Sequence, residues 1–326
     1  MILLAANENP RGMPPSAQAA VLAALAQAGA YPDPDGMALK AALASRLDVA
    51  PNCITLGSGS CEILELVAHV CVAPGQSVVQ SQYGFIVYGQ VTEHAHARGI
   101  VVPARDFGHD LDAMRAAIEA DTRLVFVANP NNPTGTFIDG PRLRAFIESV
   151  PAHVTVLLDE AYTEYLEPAQ RYDSTAWLRS FPNLVIARTF SKAYGLAGLR
   201  IGYGLASPEI TARMNARRPR FNVTAPALAA AQAALADGAW LTDTYRINAE
   251  GRATLAQALT AMGLTVAPSS GNFVMVRVPD AKATHARLLA HGIAVSPLAN
   301  YGLPDWLRIS VGLPEQHAAL LAALRG

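Results

Sequence analysis

Two stretches of this chain, Leu124-Val125-Phe126-Val127 and Val154-Thr155-Val156-Leu157-Leu158, are apolar almost without a break. A strand with one wet face alternates polar and apolar residues; a strand without that alternation is covered on both faces. Further short β-branched runs read as strands at residues Ile54–Gly57, Ser77–Ser81, 100–104, 124–129, 154–159, Leu184–Thr189 and 200–205. Helical patterns at 62–71, 111–120 and 142–149 separate several of them. Such alternation predicts an α/β fold: a large domain with a mostly parallel seven-stranded sheet, helices on both sides. After about residue 235 the texture changes to a long helical stretch, 239–262, then short strands and a terminal helix at 315–324. The expected division is a large domain at 30–238 and a smaller α+β domain made of 1–29 and 239–326, with the N-terminal segment returning to it.

Composition narrows the function classes. Twenty-five basic against 26 acidic residues leave a formal net charge of -1, so nothing general attracts nucleic acid or an anionic membrane. Any anion must be gathered by a few placed groups. Cys53, Cys61 and Cys71 are sparse, odd in number and without C-x-x-C spacing, which suits a reducing compartment better than a disulfide framework or a zinc site. No apolar run approaches the ~20 residues that span a bilayer, and the first ten residues lack a signal-peptide pattern. A cytoplasmic, soluble protein is expected.

Five motifs follow predicted strands, where ligands of open α/β sheets bind. Lys192, in Thr189-Phe190-Ser191-Lys192-Ala193, is one of only three lysines; Lys40 and Lys282 fall on helical stretches expected to be exposed. A lysine amine forms an imine with a carbonyl where its surroundings favour the neutral form. Ser191 and Arg200 flank it with a hydroxyl and a guanidinium, a pair suited to phosphate. Gly57-Ser58-Gly59-Ser60-Cys61-Glu62 opens a helix whose free amides could hold a phosphate, or it is an ordinary turn with a serine cap. Asp159-Glu160-Ala161-Tyr162 offers a carboxylate that could pair with a protonated ring nitrogen, with metal binding by Asp159 and Glu160 as the weaker alternative. Asn129-Pro130-Asn131-Asn132-Pro133-Thr134-Gly135 presents an amide between prolines, and Tyr83 could stack on a planar ring.

In order and content these motifs resemble those of the fold-type I pyridoxal-phosphate aminotransferases, and within them most closely the histidinol-phosphate aminotransferases. The resemblance runs nearly end to end, through Asn7-Glu8-Asn9-Pro10, Tyr31-Pro32-Asp33, the five motifs above and Leu307-Arg308-Ile309-Ser310-Val311-Gly312. It implies aminotransferase fold type I and pyridoxal 5′-phosphate as cofactor. Lys192 becomes the Schiff-base residue and general acid/base, and Asp159 the partner of the pyridine nitrogen. Asn132 and Tyr162 bind the phenolic oxygen, Tyr83 stacks on the ring, and Ser60, Cys61, Ser191 and Arg200 hold the phosphate. Tyr31 reaches the cofactor phosphate of a neighbouring subunit, which implies a homodimer with shared active sites. Arg308 receives the substrate's anion, and Asn7 and Asn222 join it in the substrate pocket.

The implied reaction converts histidinol phosphate and 2-oxoglutarate to imidazole acetol phosphate and glutamate. An aromatic or other amino-acid aminotransferase is the alternative, followed by an amino-acid-phosphate decarboxylase and a non-catalytic cofactor-binding module. Two departures bear on the substrate. Ser296 stands where close relatives carry an arginine that helps bind the distal anion, with Arg217, Arg218 or Arg220 as candidate replacements. The N-terminal arm ahead of Asn7 is also short. Cys61 replaces a frequent aspartate.

Overall fold

The computed structural model describes residues 1–325. A two-residue strand, β1 (Ile2–Leu3), opens the chain. Seven strands then form the main sheet: β2 (Ile54–Gly57), β3 (Ser77–Ser81), β4 (Arg98–Val102), β5 (Thr122–Ala128), β6 (Thr155–Asp159), β7 (Leu184–Thr189) and β8 (Gly202–Leu205). The last five are β9 (Thr265–Ala267), β10 (Phe273–Arg277), β11 (Ile293–Ala294), β12 (Ser296–Pro297) and β13 (Trp306–Ser310). The expected α/β class and seven-stranded sheet are both present. Strand edges moved only slightly, β4 beginning at Arg98 rather than 100 and β8 at Gly202 rather than 200.

The main sheet has the order β2-β8-β7-β6-β5-β3-β4. Pairings from β7 to β4 are parallel, whereas β8 runs antiparallel to both β7 and β2. Two reversals cancel, so β2 points the same way as the parallel strands. The carboxyl ends of β2, β3, β5, β6 and β7 and the start of β8 therefore share one edge. The phosphate, lysine, aspartate and asparagine motifs between residues 57 and 200 are all delivered there by topology alone.

Side-chain alternation divides the core into two layers. Val125, Val127, Val156, Leu158 and Ile186 face one side, and Leu124, Phe126, Leu157 and Val185 the other, all wholly buried. The second layer is closed by the helices Ser60–Cys71 and Val87–His94, which contribute Ile63, Leu64, Tyr88 and Val91. Truncating any such leucine to alanine would cost about 2–5 kcal/mol.

The C-terminal portion builds a second sheet, β12-β13-β10-β9, entirely antiparallel, with its own apolar cluster that includes Leu4. The N-terminus does return to this portion, since β1 pairs with β11, Ile2 opposite Ile293. The following helix, Pro15–Leu25, behaves differently from residues 1–4. It packs against the helix Ala225–Ala236 and places Ala17 in the large sheet's core. The boundary expected at residue 29 thus falls after a helix that belongs by contact with the large sheet. Lys40, expected at the surface, is buried at 7% exposure beside Arg218, Asp35 and Asp33. No helix among the described residues is long and apolar enough to cross a membrane.

Candidate active site

The shared strand edge, β13 and the N-terminal segment enclose a cavity of about 420 Å³, within the range of small-molecule sites. Its walls include Asn7, Ser60, Cys61, Asn132, Asp159, Tyr162, Ser191, Lys192, Arg200 and Arg308. Ten of the sequence candidates, spread over some three hundred positions, thus converge on one space.

Lys192 follows the end of β7 and is half-buried. Its Nζ donates to the Ala6 carbonyl at 2.9 Å and lies 5.9 Å from the Tyr162 ring centroid. Burial, reinforced by the Arg308 charge, brings its amine down to about 8 from an ordinary 10.5. A lysine so placed is largely protonated at neutral pH yet within reach of the neutral, nucleophilic form.

Asp159 ends β6, on the same face as Leu157, and is 5% exposed. Its Oδ1 accepts from the Ala161 amide at 3.2 Å and its Oδ2 from the Tyr88 hydroxyl at 2.9 Å. Burial pushes the carboxyl up to about 6, against those two donors. The neighbouring Glu160 points to the opposite face and pairs with Arg188 at 2.8 Å, held also by the Ser174 hydroxyl at 2.9 Å. One acid of the pair is thereby neutralised by a structural arginine, and only the other opens on the cavity.

The phosphate corner is made by backbone as much as by side chains. The helix Ser60–Cys71 starts at the cavity, preceded by Gly59 in a left-handed conformation at φ 81. A Cβ on Gly59 would lie 2.5 Å from Arg200 Nη2, and one on Gly202 would lie 2.6 Å from the Ser60 amide nitrogen. Both glycines therefore exist to let loop, guanidinium and strand close around one small space. Arg200 Nη1 donates to Ser191 Oγ at 3.3 Å. Helix amides, two hydroxyls and a guanidinium are the donor set a phosphate requires.

On the other wall, Tyr162 is buried and its hydroxyl accepts from Asn7 Nδ2 at 3.0 Å. Burial raises the phenol to about 12, against the pull of Arg308 and Asn7. Arg308, on β13, donates to the Ala5 carbonyl at 2.6 Å and to Asn132 Oδ1. Asn7 itself sits at φ 54 and exchanges hydrogen bonds with Ser310 through its backbone amide and its Oδ1.

Two expected site residues, Tyr83 and Asn222, lie elsewhere. Tyr83 packs on Phe107 at 6.0 Å between ring centroids, in a cluster with Trp306, and Phe85 lines the cavity instead. A single tyrosine in Tyr83-Gly84-Phe85 gives no sign of which ring turns inward. Asn222 donates to Glu62 Oε2 at 2.6 Å and to the Leu56 carbonyl at 3.2 Å, while Arg218 donates to its Oδ1 at 2.6 Å. It thus holds Glu62, which accepts from the Ser58 amide at the cradle, and does not face the cavity. Arg218 is further tied to Asp35 at 3.2 Å, and neither it, Arg217 nor Arg220 lines the cavity. Tyr31 is 82% exposed and stacks on Phe221 at 4.6 Å, away from the cavity of its own chain. Tyr88 and Glu8 were missed by sequence reasoning, because nothing local marks a tyrosine on the buried face of a short helix or an acid in an irregular segment.

The family described as "Aminotransferase class I and II" matches residues 1–324. The chain belongs to that family. It is 56% identical to histidinol-phosphate aminotransferase 1 of Cupriavidus pinatubonensis, over 99% of this chain and 87% of that protein. It is 55% identical to histidinol-phosphate aminotransferase 2 of Ralstonia nicotianae, over 99% and 88%. Among solved structures, the Sinorhizobium meliloti histidinol-phosphate aminotransferase in complex with pyridoxal-5′-phosphate superposes with a TM-score of 0.92 at 34% identity, covering 99% of this chain and 89% of that one. The aminotransferase fold type I expected from the motifs is therefore the fold of this member of the family.

Proposed function

We propose that this class I and II aminotransferase uses pyridoxal 5′-phosphate to move the amino group of histidinol phosphate to 2-oxoglutarate. The observation that carries this reading is the meeting of Lys192, Asp159 and Arg308 in one cavity beside a phosphate cradle. The two relatives at 55% and 56% identity, both histidinol-phosphate aminotransferases, support the substrate.

When bound, the cofactor supplies an aldehyde for the substrate amine and an electron-withdrawing ring. The chain's own residues do the rest. Ser60, the Cys61 amide, Ser191 and Arg200 would grip the phosphate and so fix the distance from cradle to lysine. Asp159 would hold a proton at the pyridine nitrogen, keeping the ring cationic. Tyr162 and Asn132 would orient the phenolic oxygen. Lys192 would move a proton between substrate Cα and cofactor C4′, a transfer for which an amine brought down to about 8 is well matched. Arg308 would take the donor's anion, and residues 5–8 would cover the site and exclude water.

A homodimer with shared active sites is part of the same proposal. Tyr31, Leu22, Leu25 and Met37 are all more than half exposed, which supports burial against a second copy. Three unpaired cysteines support a cytoplasmic location. One observation favours an aromatic amino-acid donor as a second reading: Ser296 is the cross-strand partner of Arg308, so that edge carries one cation rather than two. Purified protein given histidinol phosphate and 2-oxoglutarate should form glutamate, with Lys192 carrying the adduct after borohydride reduction. Faster turnover of aromatic amino acids would move the substrate to the second reading. Carbon dioxide release without keto-acid turnover would overturn transamination.

A further inference from the structure

We propose that Tyr88 is a positioning residue for the reaction, its hydroxyl fixing the Asp159 carboxylate in direction and in charge where the cofactor's ring nitrogen must meet it. The proposal rests on the reading above for its catalytic consequence, while its structural half concerns this chain alone.

Helix Val87–His94 lays Tyr88, Val91 and Thr92 against the sheet. The Tyr88 ring is 1% exposed, stacked on Phe126 at 4.5 Å and 3°, and met edge-on by Phe85 at 5.9 Å and 90°. Two rings at right angles leave the phenol no freedom to swing. Its hydroxyl therefore points one way, and at 2.9 Å in that direction lies Asp159 Oδ2. A buried phenol needs a polar partner, and here the partner is Asp159, the carboxylate at the end of β6 that opens on the cavity.

The second oxygen, Oδ1, is held by the Ala161 amide. A carboxylate has about four acceptor sites, so two fixed donors set its plane and still leave lone pairs for a ring N–H. The titratable groups around it are few. Helix Ser60–Cys71 presents Cys61, the segment after β7 presents Lys192, the Asp159 strand itself continues into Glu160 and Tyr162, and helix Val87–His94 presents Tyr88. Lys192 favours the charged carboxylate and Glu160 opposes it; burial is the largest push towards the neutral acid, and the Tyr88 hydroxyl is the largest counterweight. The phenol itself is held well above its ordinary range by burial and by Asp159, so it stays a donor throughout the working pH. Without it, Asp159 would become more basic and would draw the proton off the ring nitrogen, weakening the electron sink.

Tyr88→Phe keeps both ring contacts and removes only the donor. In cofactor-free protein, the side-chain 13C titration of Asp159 should move its midpoint upward by about one pH unit, as loss of a hydrogen bond to a charged group implies. In the loaded enzyme, the acid limb of kcat/KM should shift the same way, with kcat down about tenfold. On an Asp159→Asn background, Tyr88→Phe should add less than about a twofold loss, since its route of action is gone. Replacing Tyr88 by 3-fluorotyrosine, a stronger donor with the ring intact, should move the Asp159 midpoint downward. A midpoint unmoved by both changes, or a full extra loss on the Asp159→Asn background, overturns the proposal. Those outcomes are separate from a misplaced borohydride adduct, which would sink the functional reading while leaving the cofactor-free titration to stand.

Discussion

The two walls of the cavity are built on different plans. On the sheet side, Asp159, Lys192, Ser191 and Arg200 hang from the ends of largely buried strands, and side chains behind them brace the carboxylate and the cradle: Tyr88 for Asp159, Asn222 and Glu62 for the cradle. On the facing side, Arg308 projects from a small antiparallel sheet, and one of its two anchors, beside Asn132 Oδ1, is a backbone carbonyl, Ala5. Lys192 likewise borrows the Ala6 carbonyl. Backbone acceptors do not depend on the identity of the residue that supplies them. The second wall can therefore change its side chains, and with them the substrate, while the first wall and its chemistry stay fixed.

The harshest way to break this contrast is at its centre. Lys192→Ala should lower kcat for transamination by about 10³-fold or more, since one residue supplies both nucleophile and proton carrier. Steady-state glutamate formation measures it, and partial rescue by a small added amine should follow. A variant that kept a tenth of the activity would remove Lys192 from the chemistry. Arg308→Gln strikes the other wall. There KM for an anionic donor should rise about 10–100-fold, the size of one or two charge-assisted hydrogen bonds, with a smaller change in kcat. Equal losses in both constants would mean that the walls are not separable.

The first wall was legible in the chain because each of its parts carries a local signature: an apolar strand ending in Asp159, a lysine among few lysines, glycines before a helix. Order along the chain was enough to bring them together, since successive parallel strands deliver their carboxyl ends to one edge. The second wall was legible only through resemblance. Nothing in Leu307-Arg308-Ile309 says that its arginine returns to the same cavity, because that depends on the smaller sheet folding back through β1 and β11. Tyr83 and Asn222 failed for a related reason. Both sit in the right segments, but which of Tyr83 and Phe85 turns inward, and whether Asn222 meets a ligand or Glu62, is decided by packing from other elements. Tyr88 was invisible because an apolar helix face and a hydroxyl aimed at a strand end look alike in one dimension.

Stability gives a gentler test of the same contrast, because a site built for chemistry is strained for folding. Lys192 holds its proton less tightly when folded, at about 8, than in the unfolded chain, where 10.5 is ordinary. Below pH 8 both states are protonated and the folded one bears the full penalty of a buried charge. Between about 8 and 10.5 the unfolded state binds the extra proton, so stability rises with pH across that window. Lys192→Met should accordingly melt about 2 °C or more above the parent at pH 7 without cofactor. By pH 10 most of that gap should have closed. A constant gap across the range would assign the gain to packing rather than to charge.

The smallest expected effect sharpens the second wall. Ser296 lies directly opposite Arg308 in the antiparallel pairing of β12 and β13, so their side chains leave the same face, with Cβ atoms about 4.5–5.5 Å apart. An arginine at 296 would bring a second guanidinium beside the first. Like charges directly opposite are unfavourable by themselves, but a donor with a doubly charged phosphate would offset the repulsion when bound. Ser296→Arg should therefore raise kcat/KM for histidinol phosphate about 3–10-fold, and do nothing for an amino acid with an uncharged tail. The ratio of the two constants is the measurement. An unchanged ratio would mean that another cation, supplied by a neighbouring subunit, already meets the phosphate, and Ser296 would then mark a moved contact rather than a lost one.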